Sequence, residues 1–226
     1  VFNTGMAGYQ EIISDPSYAG QFVTMTCPEI GNYGCNEADM ESRGLFLNGL
    51  LIHELNEPSN FRSEKSLPEM LIAAGKPGIA GIDIRRLTTI LREQGSQKAY
   101  LHVEDFELSE AEGIERARAW EGLDNQDYAT RVSTPKPYTW NESGDCRVIA
   151  VDYGIKYNIL RQLADAGFQV DVVPARTTAA EILARRPDGV FLSNGPADPS
   201  ALPYAAEMIR AGIQAIPRGQ LEAAAA

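Results

Sequence analysis

The feature that most constrains the fold is a regular alternation of strand and helix patterns over residues 147–212. Three short apolar runs predict strands and three amphipathic segments predict helices. In chain order these are 147–151, 155–166, 169–173, 178–185, 189–192 and 201–211. Gly167 and Gly212 are expected to end the first and third helices. Such a series predicts a parallel sheet covered by helices on both faces, with ligands at the carboxyl ends of its strands.

Of the turns that follow these strands, the one at 193–199, S-N-G-P-A-D-P, is best suited to contact a ligand. Asn194 and Gly195 can supply a positive φ angle, and Ala197 keeps side-chain bulk away. Backbone N–H groups could then point at an oxyanion or a carboxylate. The alternative is a tight strand-to-helix turn in which Asp198 caps the following helix. The local sequence leaves both interpretations open.

The first half of the chain has a different pattern, which predicts a mixed α+β domain. Strands are expected at 21–27, 44–55 and 98–103, and helices are expected to begin at Ser66, Asp83 and Ser109. Gly, Pro, Asn and Asp cluster without apolar periodicity around 121–146, which indicates a linker. The expected organisation is a domain at 1–120, the linker at 121–146, an α/β domain at 147–217 and a tail at 218–226.

Composition excludes several classes of protein. Hydrophobic residues make up 44% and charged residues 23% of the 226 residues, which is typical of a globular chain. The net charge of −11 opposes phosphate backbones and anionic lipids, and no apolar run reaches the roughly 18 residues of a membrane helix. We therefore expect neither a nucleic-acid partner nor a membrane.

The cysteines favour a reducing compartment. Cys27, Cys35 and Cys146 are odd in number and widely spaced, so they do not suggest a disulfide framework. Neither they nor His53 form a close pair of the kind that binds zinc. We expect a cytoplasmic protein without a metal site.

Five ordered segments of the chain, taken together, resemble one protein family. They are V-F-N-T-G-M-A-G-Y-Q-E-I-I-S-D-P-S-Y-A-G-Q at 1–21, P-E-I-G-N-Y-G at 28–34, I-A-G-I-D-I-R-R-L-T at 79–88, V-D-Y-G-I-K-Y-N-I-L-R at 151–161 and F-L-S-N-G-P-A-D-P at 191–199. Their order and spacing are similar to those of the small, glutamine-hydrolysing subunit of carbamoyl-phosphate synthetase. The resemblance covers residues 1–217. It implies a first domain specific to this subunit, followed by an incomplete parallel α/β sheet of class I glutamine amidotransferase type.

The resemblance also implies substrate-binding residues. Ser17 corresponds to a family serine that reaches across from the first domain to contact glutamine, although its own context suggests a turn serine after Pro16. Gly195 and Ala197 correspond to positions whose backbone amides contact glutamine and help to hold the developing oxyanion. Ala197 stands where the family usually has glycine, so its contact is the less secure of the two.

Hydrolysis of an amide requires an activated nucleophile, a base, a group that orients the base, and donors for the oxyanion. In the family the nucleophile is a cysteine in a G-x-C-x-G elbow after the next strand, and its His and Glu partners follow much later. None of the three cysteines lies in such an elbow, and both His53 and His102 lie in the first half. We therefore assign no catalytic residue. We expect a fragment that lacks the N-terminal hairpin and the catalytic half and that is inactive alone.

The family relationship implies a function for the intact protein. The small subunit hydrolyses glutamine and passes ammonia through a tunnel to the large subunit, which uses ATP, Mg and bicarbonate to make carbamoyl phosphate for arginine and pyrimidine synthesis. The implied partners are the large subunit and L-glutamine, and no cofactor is expected in this chain. The alternatives are a non-catalytic interaction module, another class I amidotransferase, or a stand-alone α/β hydrolase.

Overall fold

The computed structural model describes residues 1–103, 107–196 and 198–215. The chain divides into two compact units, Val1–Asp124 and Asn125–Ala226. Each unit has its own core of buried apolar side chains.

Two parallel sheets form the centre of the first unit. Its strands are β1 (Phe2–Asn3), β2 (Phe22–Met25), β3 (Glu29–Ile30), β4 (Gly49–Leu51), β5 (Glu54–Leu55) and β6 (Gly78–Ile79). Four of them form a sheet in the order β1-β2-β4-β6, and β3 pairs with β5. Val23, Met25 and Leu50 are buried in its core. The predicted strands at 21–27 and 44–55 are confirmed in β2 and β4, although β4 is short and a separate strand, β5, follows it.

The helices of the first unit are α1 (Tyr9–Ile13), α2 (Leu67–Ala73), α3 (Ile84–Gln94) and α4 (Glu110–Ala119). The three predicted helix starts are confirmed. Ser66 and Ser109 each form a capping box with a glutamate three residues later, and the Asp83 carboxylate accepts a hydrogen bond from the backbone N–H of Arg86 at 2.9 Å. These caps satisfy N–H groups that the first helical turn leaves without an intrahelical partner.

The strand predicted at 98–103 is wrong. The segment has no strand assignment. Side chains bind it to α4 instead: Lys98 Nζ donates to the Trp120 carbonyl oxygen, and Arg116 Nη1 donates to the Tyr100 hydroxyl at 2.7 Å. An alternating pattern produces a strand only where a free sheet edge is available to pair with it.

The second unit is built on one mixed sheet. Its elements in chain order are α5 (Ala129–Val132), β7 (Tyr138–Asn141), β8 (Cys146–Asp152), α6 (Tyr157–Asp165), β9 (Phe168–Pro174), α7 (Ala179–Ala184), β10 (Gly189–Leu192) and α8 (Pro203–Ala215). The strand order is β10-β8-β9-β7; β8 pairs in parallel with both β9 and β10, and β7 pairs antiparallel with β9. The predicted parallel β-α-β-α-β-α series is confirmed.

Helices cover both faces of this sheet, as predicted. Ile149 and Val151 on β8 pack on one face with Ile182 of α7 and with apolar residues of α8. Ala150 on β8 packs on the other face with Leu160 of α6. Alternate residues of one strand are therefore buried on opposite faces, which explains why the strand sequences are apolar throughout.

Two details differ from the sequence-based expectation. The segment 121–146, interpreted as a linker, contains α5 and β7, and β7 pairs with β9 as an antiparallel edge strand. Helix α8 continues through Gly212 to Ala215. An interior glycine costs a helix only about 1 kcal/mol relative to alanine, so Gly212 does not end α8.

Candidate functional site

The candidate site is the turn that follows β10. Because β8, β9 and β10 run in parallel, their carboxyl ends lie on the same edge of the sheet. The turn after β8 and the turn after β10 meet at this edge: a Cβ atom on Gly154 would lie 3.0 Å from Pro196 Cδ and 3.1 Å from Gly195 Cα. This is the edge at which parallel α/β sheets bind ligands.

Gly195 is required by this close approach. A Cβ atom at Gly195 would lie 2.2 Å from the carbonyl oxygen of Tyr153, a distance that real structures do not show. The positive φ expected at Asn194 or Gly195 is wrong, because neither is among the described residues with positive φ. A glycine is needed here because of the neighbouring backbone, and the turn itself does not need a left-handed conformation.

The entry to the turn is held by hydrogen bonds, while the Gly195 amide is left available. Ser193 N–H donates to the Val151 carbonyl oxygen at 3.2 Å, and Tyr153 N–H donates to Ser193 Oγ at 2.9 Å. Gly195 is exposed, and its N–H donates no hydrogen bond to an acceptor among the described residues. Pro196, next along the chain, is buried. The geometry thus presents an N–H donor on a fixed backbone, as an oxyanion-binding turn requires.

Asp152 supports the adjacent turn. Asp152 is 6% exposed, and its carboxylate accepts from the backbone N–H groups of Gly154, Ile155 and Thr134 at 2.9, 2.8 and 2.7 Å. Three N–H donors occupy this carboxylate, so it fixes the backbone after β8 and connects it to the segment that precedes β7.

Asp198 caps the helical turn Pro199–Ala201. Its carboxylate accepts from the backbone N–H of Ser200 at 2.8 Å, and the hydrogen bonds from Ser200 lower the pKa of Asp198 from its ordinary value. The capping interpretation of this residue is confirmed, and it is compatible with a ligand at Gly195. Ala197 lies outside the described residues.

Ser17 lies in the first unit, in the helical turn Pro16–Tyr18. Its N–H donates to the Asp15 carboxylate at 2.8 Å, and its carbonyl oxygen accepts from Gln21 Nε2 at 3.0 Å. The turn interpretation of Ser17 is thus correct locally. Its predicted contact with glutamine involves the other unit and remains a prediction.

The described cysteines and histidines do not form a nucleophile–base pair at the turn. Cys27 and Cys35 are buried in the first unit, which also contains His53 and His102. Burial raises the pKa of Cys35 to about 11, which disfavours its thiolate. Cys146 is exposed, but it is the first residue of β8 and so lies at the amino end of the strand, opposite Gly195.

The first unit contains a cavity of about 310 Å³. Cys27 lines this cavity together with Met6, Met25 and Tyr33. The described partners of the Cys27 thiol are the carbonyl oxygens of Met6 at 3.5 Å and Glu29 at 3.7 Å, and neither is a base that could activate it. Among the residues that the structure describes, no group of three or more His, Cys, Asp or Glu side chains could hold a metal ion. No described helix has both the length and the apolar character that a membrane crossing requires.

Comparison with known proteins agrees with this two-part organisation. Residues 1–101 match the family described as carbamoyl-phosphate synthase small chain, CPSase domain, and residues 149–218 match glutamine amidotransferase class-I. The second match begins within β8 and includes the turn at Gly195. The second unit therefore has the α/β fold of a class I glutamine amidotransferase domain.

The relatives identify the family more narrowly. The chain is 47% identical over 230 residues to the carbamoyl phosphate synthase small chain of Acinetobacter baylyi, 48% over 225 residues to that of Thioalkalivibrio sulfidiphilus and 47% over 227 residues to that of Pseudomonas aeruginosa. These alignments cover 95%, 93% and 93% of this chain and 60%, 59% and 60% of the relatives. The chain thus spans about three fifths of the length of the relatives that it matches, and it belongs to the carbamoyl-phosphate synthase small chain family.

No sequence pattern indicates one cluster of side chains at the carboxyl edge of the sheet. The side chains of Arg176 and Tyr204 both contact Asp127, although they lie 49 and 77 residues after it in the chain. No short motif connects such distant positions. The available signal is that Arg176 follows β9 and Tyr204 begins α8, so the topology brings both to the carboxyl edge of the sheet.

Proposed function

We propose that this chain provides the glutamine-binding part of a carbamoyl-phosphate synthase small subunit, which hydrolyses glutamine and supplies ammonia to a large subunit. The observation that carries the proposal is the N–H of Gly195, an exposed residue at the carboxyl end of β10 whose backbone is held by close contact with Tyr153. A backbone donor on a fixed turn stabilises a developing oxyanion without reorganisation. Residues 1–101 support this subunit over other class I amidotransferases, because they match its own domain.

Each proposed site residue has a definite role. The Gly195 amide donates to the carbonyl oxygen of the glutamine side chain as the tetrahedral intermediate forms. The Ala197 amide is the second proposed contact, and Ser17 is proposed to contact the substrate from the first domain. The nucleophile is a cysteine that these 226 residues do not supply, since Cys27 and Cys35 are buried and Cys146 lies at the amino end of β8.

The proposed partner is a large subunit in a cytoplasmic heterodimer. That subunit performs the ATP- and Mg-dependent synthesis of carbamoyl phosphate for the arginine and pyrimidine pathways, and this chain binds no cofactor of its own. A non-catalytic interaction module is the second candidate. The interaction module is favoured for the 226 residues by themselves, because they provide a donor for the oxyanion but no nucleophile positioned near that donor.

Ammonia release from L-glutamine tests the proposal. We expect none from the purified 226-residue chain above a heat-treated control. We expect glutamine-dependent carbamoyl phosphate synthesis from a small chain of the relatives' full length that carries these residues and is combined with its large subunit. Turnover by the 226 residues alone would favour a self-sufficient amidase. Failure of the full-length complex to use glutamine, while it still uses ammonia, would contradict the proposed role of the turn.

A further inference from the structure

Three side chains meet beside the candidate site and connect three parts of the second unit. The Asp127 carboxylate forms an ion pair with Arg176 Nη2 at 2.8 Å and accepts from the Tyr204 hydroxyl at 3.2 Å. It also accepts from the backbone N–H of Thr130 at 3.0 Å, in the first turn of α5. The Arg176 guanidinium carbon lies 4.4 Å from the centre of the Tyr204 ring. The segment before α5, the turn after β9 and the start of α8 are therefore held together at one carboxylate.

The cluster is bonded to the first turn of α8, the helix that follows the Gly195 turn. A short series of backbone hydrogen bonds joins the turn to α8: Ala201 N–H donates to Asp198 O at 3.1 Å, and Ala205 N–H donates to Leu202 O at 3.0 Å. Tyr204 is the second residue of α8. Leu202 N–H also donates to Pro199 O at 3.0 Å, so a shift of α8 along its axis would be transmitted through this series to Asp198, three residues after Gly195.

Apolar packing alone does not fix the position of α8 along its axis. Leu202, Ala205 and Met208 pack against the core of the sheet, but hydrophobic contact is non-directional and tolerates small slips. A charge-assisted hydrogen bond and a stacked guanidinium have defined geometry. Burial, followed by the nearby Asp127 carboxylate, raises the pKa of Tyr204, so its hydroxyl keeps the proton that it donates.

The neighbouring Tyr153 cannot replace this anchor. Tyr153 is 6% exposed, and its hydroxyl has no hydrogen-bond partner among the described residues. Tyr153 contributes backbone to the turn, through its carbonyl oxygen beside Gly195. Tyr204 is thus the tyrosine whose hydroxyl links α8 to the rest of the edge.

We propose that Asp127, Arg176 and Tyr204 are positioning residues that fix α8 along its axis and thereby hold the Gly195 N–H in line with the glutamine carbonyl oxygen. This inference rests on the proposed function. The three residues act through the turn and do not touch the substrate. Their loss impairs the chemical step more than substrate affinity, because the Gly195 donor is most effective when the oxyanion forms.

Kinetics of a Tyr204→Phe variant test the proposal in the full-length small chain combined with its large subunit. The substitution removes the hydroxyl and keeps the ring under Arg176. We expect kcat for the glutamine-dependent reaction to fall by about 5- to 10-fold with little change in KM, as for the loss of one hydrogen bond that supports the transition state. The reaction with ammonia in place of glutamine should be unchanged.

Tyr100→Phe is the matched control. Tyr100 also lies beside an arginine, with Arg116 5.3 Å from its ring centre and bonded to its hydroxyl, but it belongs to the first unit. It should leave the glutamine-dependent rate unchanged. A double-mutant cycle with Asp127→Ala adds a second criterion: Tyr204→Phe should have little further effect on kcat once Asp127 is absent, because the two residues act through one hydrogen bond.

The ¹⁵N relaxation of the Asn194 and Gly195 amides in the 226-residue chain provides a readout that does not depend on activity. Motion at these amides should increase in Tyr204→Phe and stay unchanged in Tyr100→Phe. Unaltered relaxation in Tyr204→Phe would overturn the inference, whether or not the wild-type complex is active with glutamine. Inactivity of the wild-type complex with glutamine would by itself refute only the proposed function. If the wild-type complex is active and Tyr204→Phe has the same glutamine-dependent rate as Tyr100→Phe, the inference is overturned. The proposed function would then be unaffected.

Discussion

Gly195 shows how one residue can be determined by the backbone of a distant segment. Its exposure and its position after a strand would fit an ordinary turn glycine, but the Tyr153 carbonyl oxygen occupies the place of a Cβ atom. The contact is with backbone, which cannot rotate away as a flexible side chain can. The identity of residue 195 therefore depends on how β8 and β10 end.

We predict that Gly195→Ala destabilises the second unit. The added methyl group would have to displace the backbone at Tyr153, so we expect the free energy of unfolding to fall by about 1–3 kcal/mol, as for other overpacked sites. Denaturant unfolding followed by tryptophan fluorescence would measure this. Gly189→Ala is the control: its nearest neighbour would be Val148 Cγ2 at 3.7 Å, so stability should change by less than about 0.5 kcal/mol. Equal stability of the two variants would contradict the proposed contact.

At the residue level, the turn at 193–199 was predictable from sequence, but the expected reason for Gly195, a positive φ angle, was wrong. N-G-P suggested positive φ, because local statistics attribute such glycines to backbone conformation. The close approach of Tyr153 depends on pairing between β8 and β10, and no local pattern contains that information. The Asp198 cap was predictable, because it depends only on a carboxylate two residues before the N–H that it binds.

Among the elements, β8 and β9 are joined by a partly buried ion pair between Arg147, near the amino end of β8, and Asp171, in the middle of β9. Arg147 Nε donates to Asp171 Oδ2 at 3.0 Å, and Thr139 Oγ1 donates to the other oxygen at 2.6 Å. The Asp171 side chain is 6% exposed, whereas Arg147 is 37% exposed. Burial acts to raise the pKa of Asp171, but hydrogen bonds from Thr139 and Arg147 and the charge of Arg147 outweigh it and lower the pKa.

This lowered pKa predicts how stability depends on pH. The folded pKa of Asp171 lies below the unfolded value of about 3.9, so its stabilising contribution is complete above that value and is lost as pH falls through the folded pKa. We expect thermal stability to decline below about pH 4 and the decline to be shallower in Asp171→Asn. Calorimetry between pH 3 and pH 7 would measure both curves. Parallel curves would show that other carboxylates cause the acid sensitivity.

Removal of Arg147 should lower the free energy of unfolding more than removal of an arginine from a more exposed ion pair. Arg147→Leu leaves the buried Asp171 carboxylate without its counterion, and we expect a loss of about 2–4 kcal/mol, below the full cost for a completely buried pair because Arg147 is partly hydrated. Arg62→Leu is the control, since its pair with Asp39 is more exposed and should contribute about 0–1 kcal/mol. Denaturant unfolding at neutral pH compares the two, and similar losses would contradict the role assigned to burial.

Element starts were predictable from sequence where the signal was local. Ser66, Asp83 and Ser109 each bind an N–H within three residues, so the helix starts followed from short patterns. The strand predicted at 98–103 and the helix end predicted at Gly212 were wrong because each depends on more distant structure. A strand needs a partner edge, and a glycine ends a helix only if the following residues leave the helical conformation.

At the scale of the whole molecule, charge is distributed unevenly between the two units. Residues 1–124 contain 20 of the 31 Asp and Glu residues and 10 of the 20 Lys and Arg residues, so the first unit carries −10 of the net −11. The second unit is nearly neutral. Electrostatic repulsion of polyanions is therefore a property of the first unit, which also contains the domain specific to this family.

The open edge of the second sheet predicts self-association. Within the described residues β10 pairs with β8 alone, and Val190 and Leu192 are 45% and 40% exposed on it. Unpaired edges with apolar side chains favour pairing with another chain. We expect the average mass in sedimentation to rise with concentration, and Val190→Lys combined with Leu192→Lys to reduce that rise. Val103→Lys, at a 68% exposed valine outside the sheets, should not change it. A concentration-independent monomer would refute the prediction.

The global architecture was predictable where strands and helices alternate in sequence. Buried strands such as β8 have continuous apolar runs, and the connections between parallel strands require helices. The antiparallel edge strand β7 was missed, because Tyr138–Asn141 lies in a segment rich in turn residues and is held by pairing with β9. The meeting of Asp127, Arg176 and Tyr204 could be found only once this topology was known.

The contact between the turns at Gly154 and Gly195 limits how the site can be redesigned. The two loops touch through main-chain atoms, so their spacing is set by the van der Waals radii of those atoms and cannot be tuned by exchanging one side chain for another. Any attempt to change the distance between the two turns would have to rebuild both loops together. Ligand preference is more readily altered through the segments that face this rigid wall.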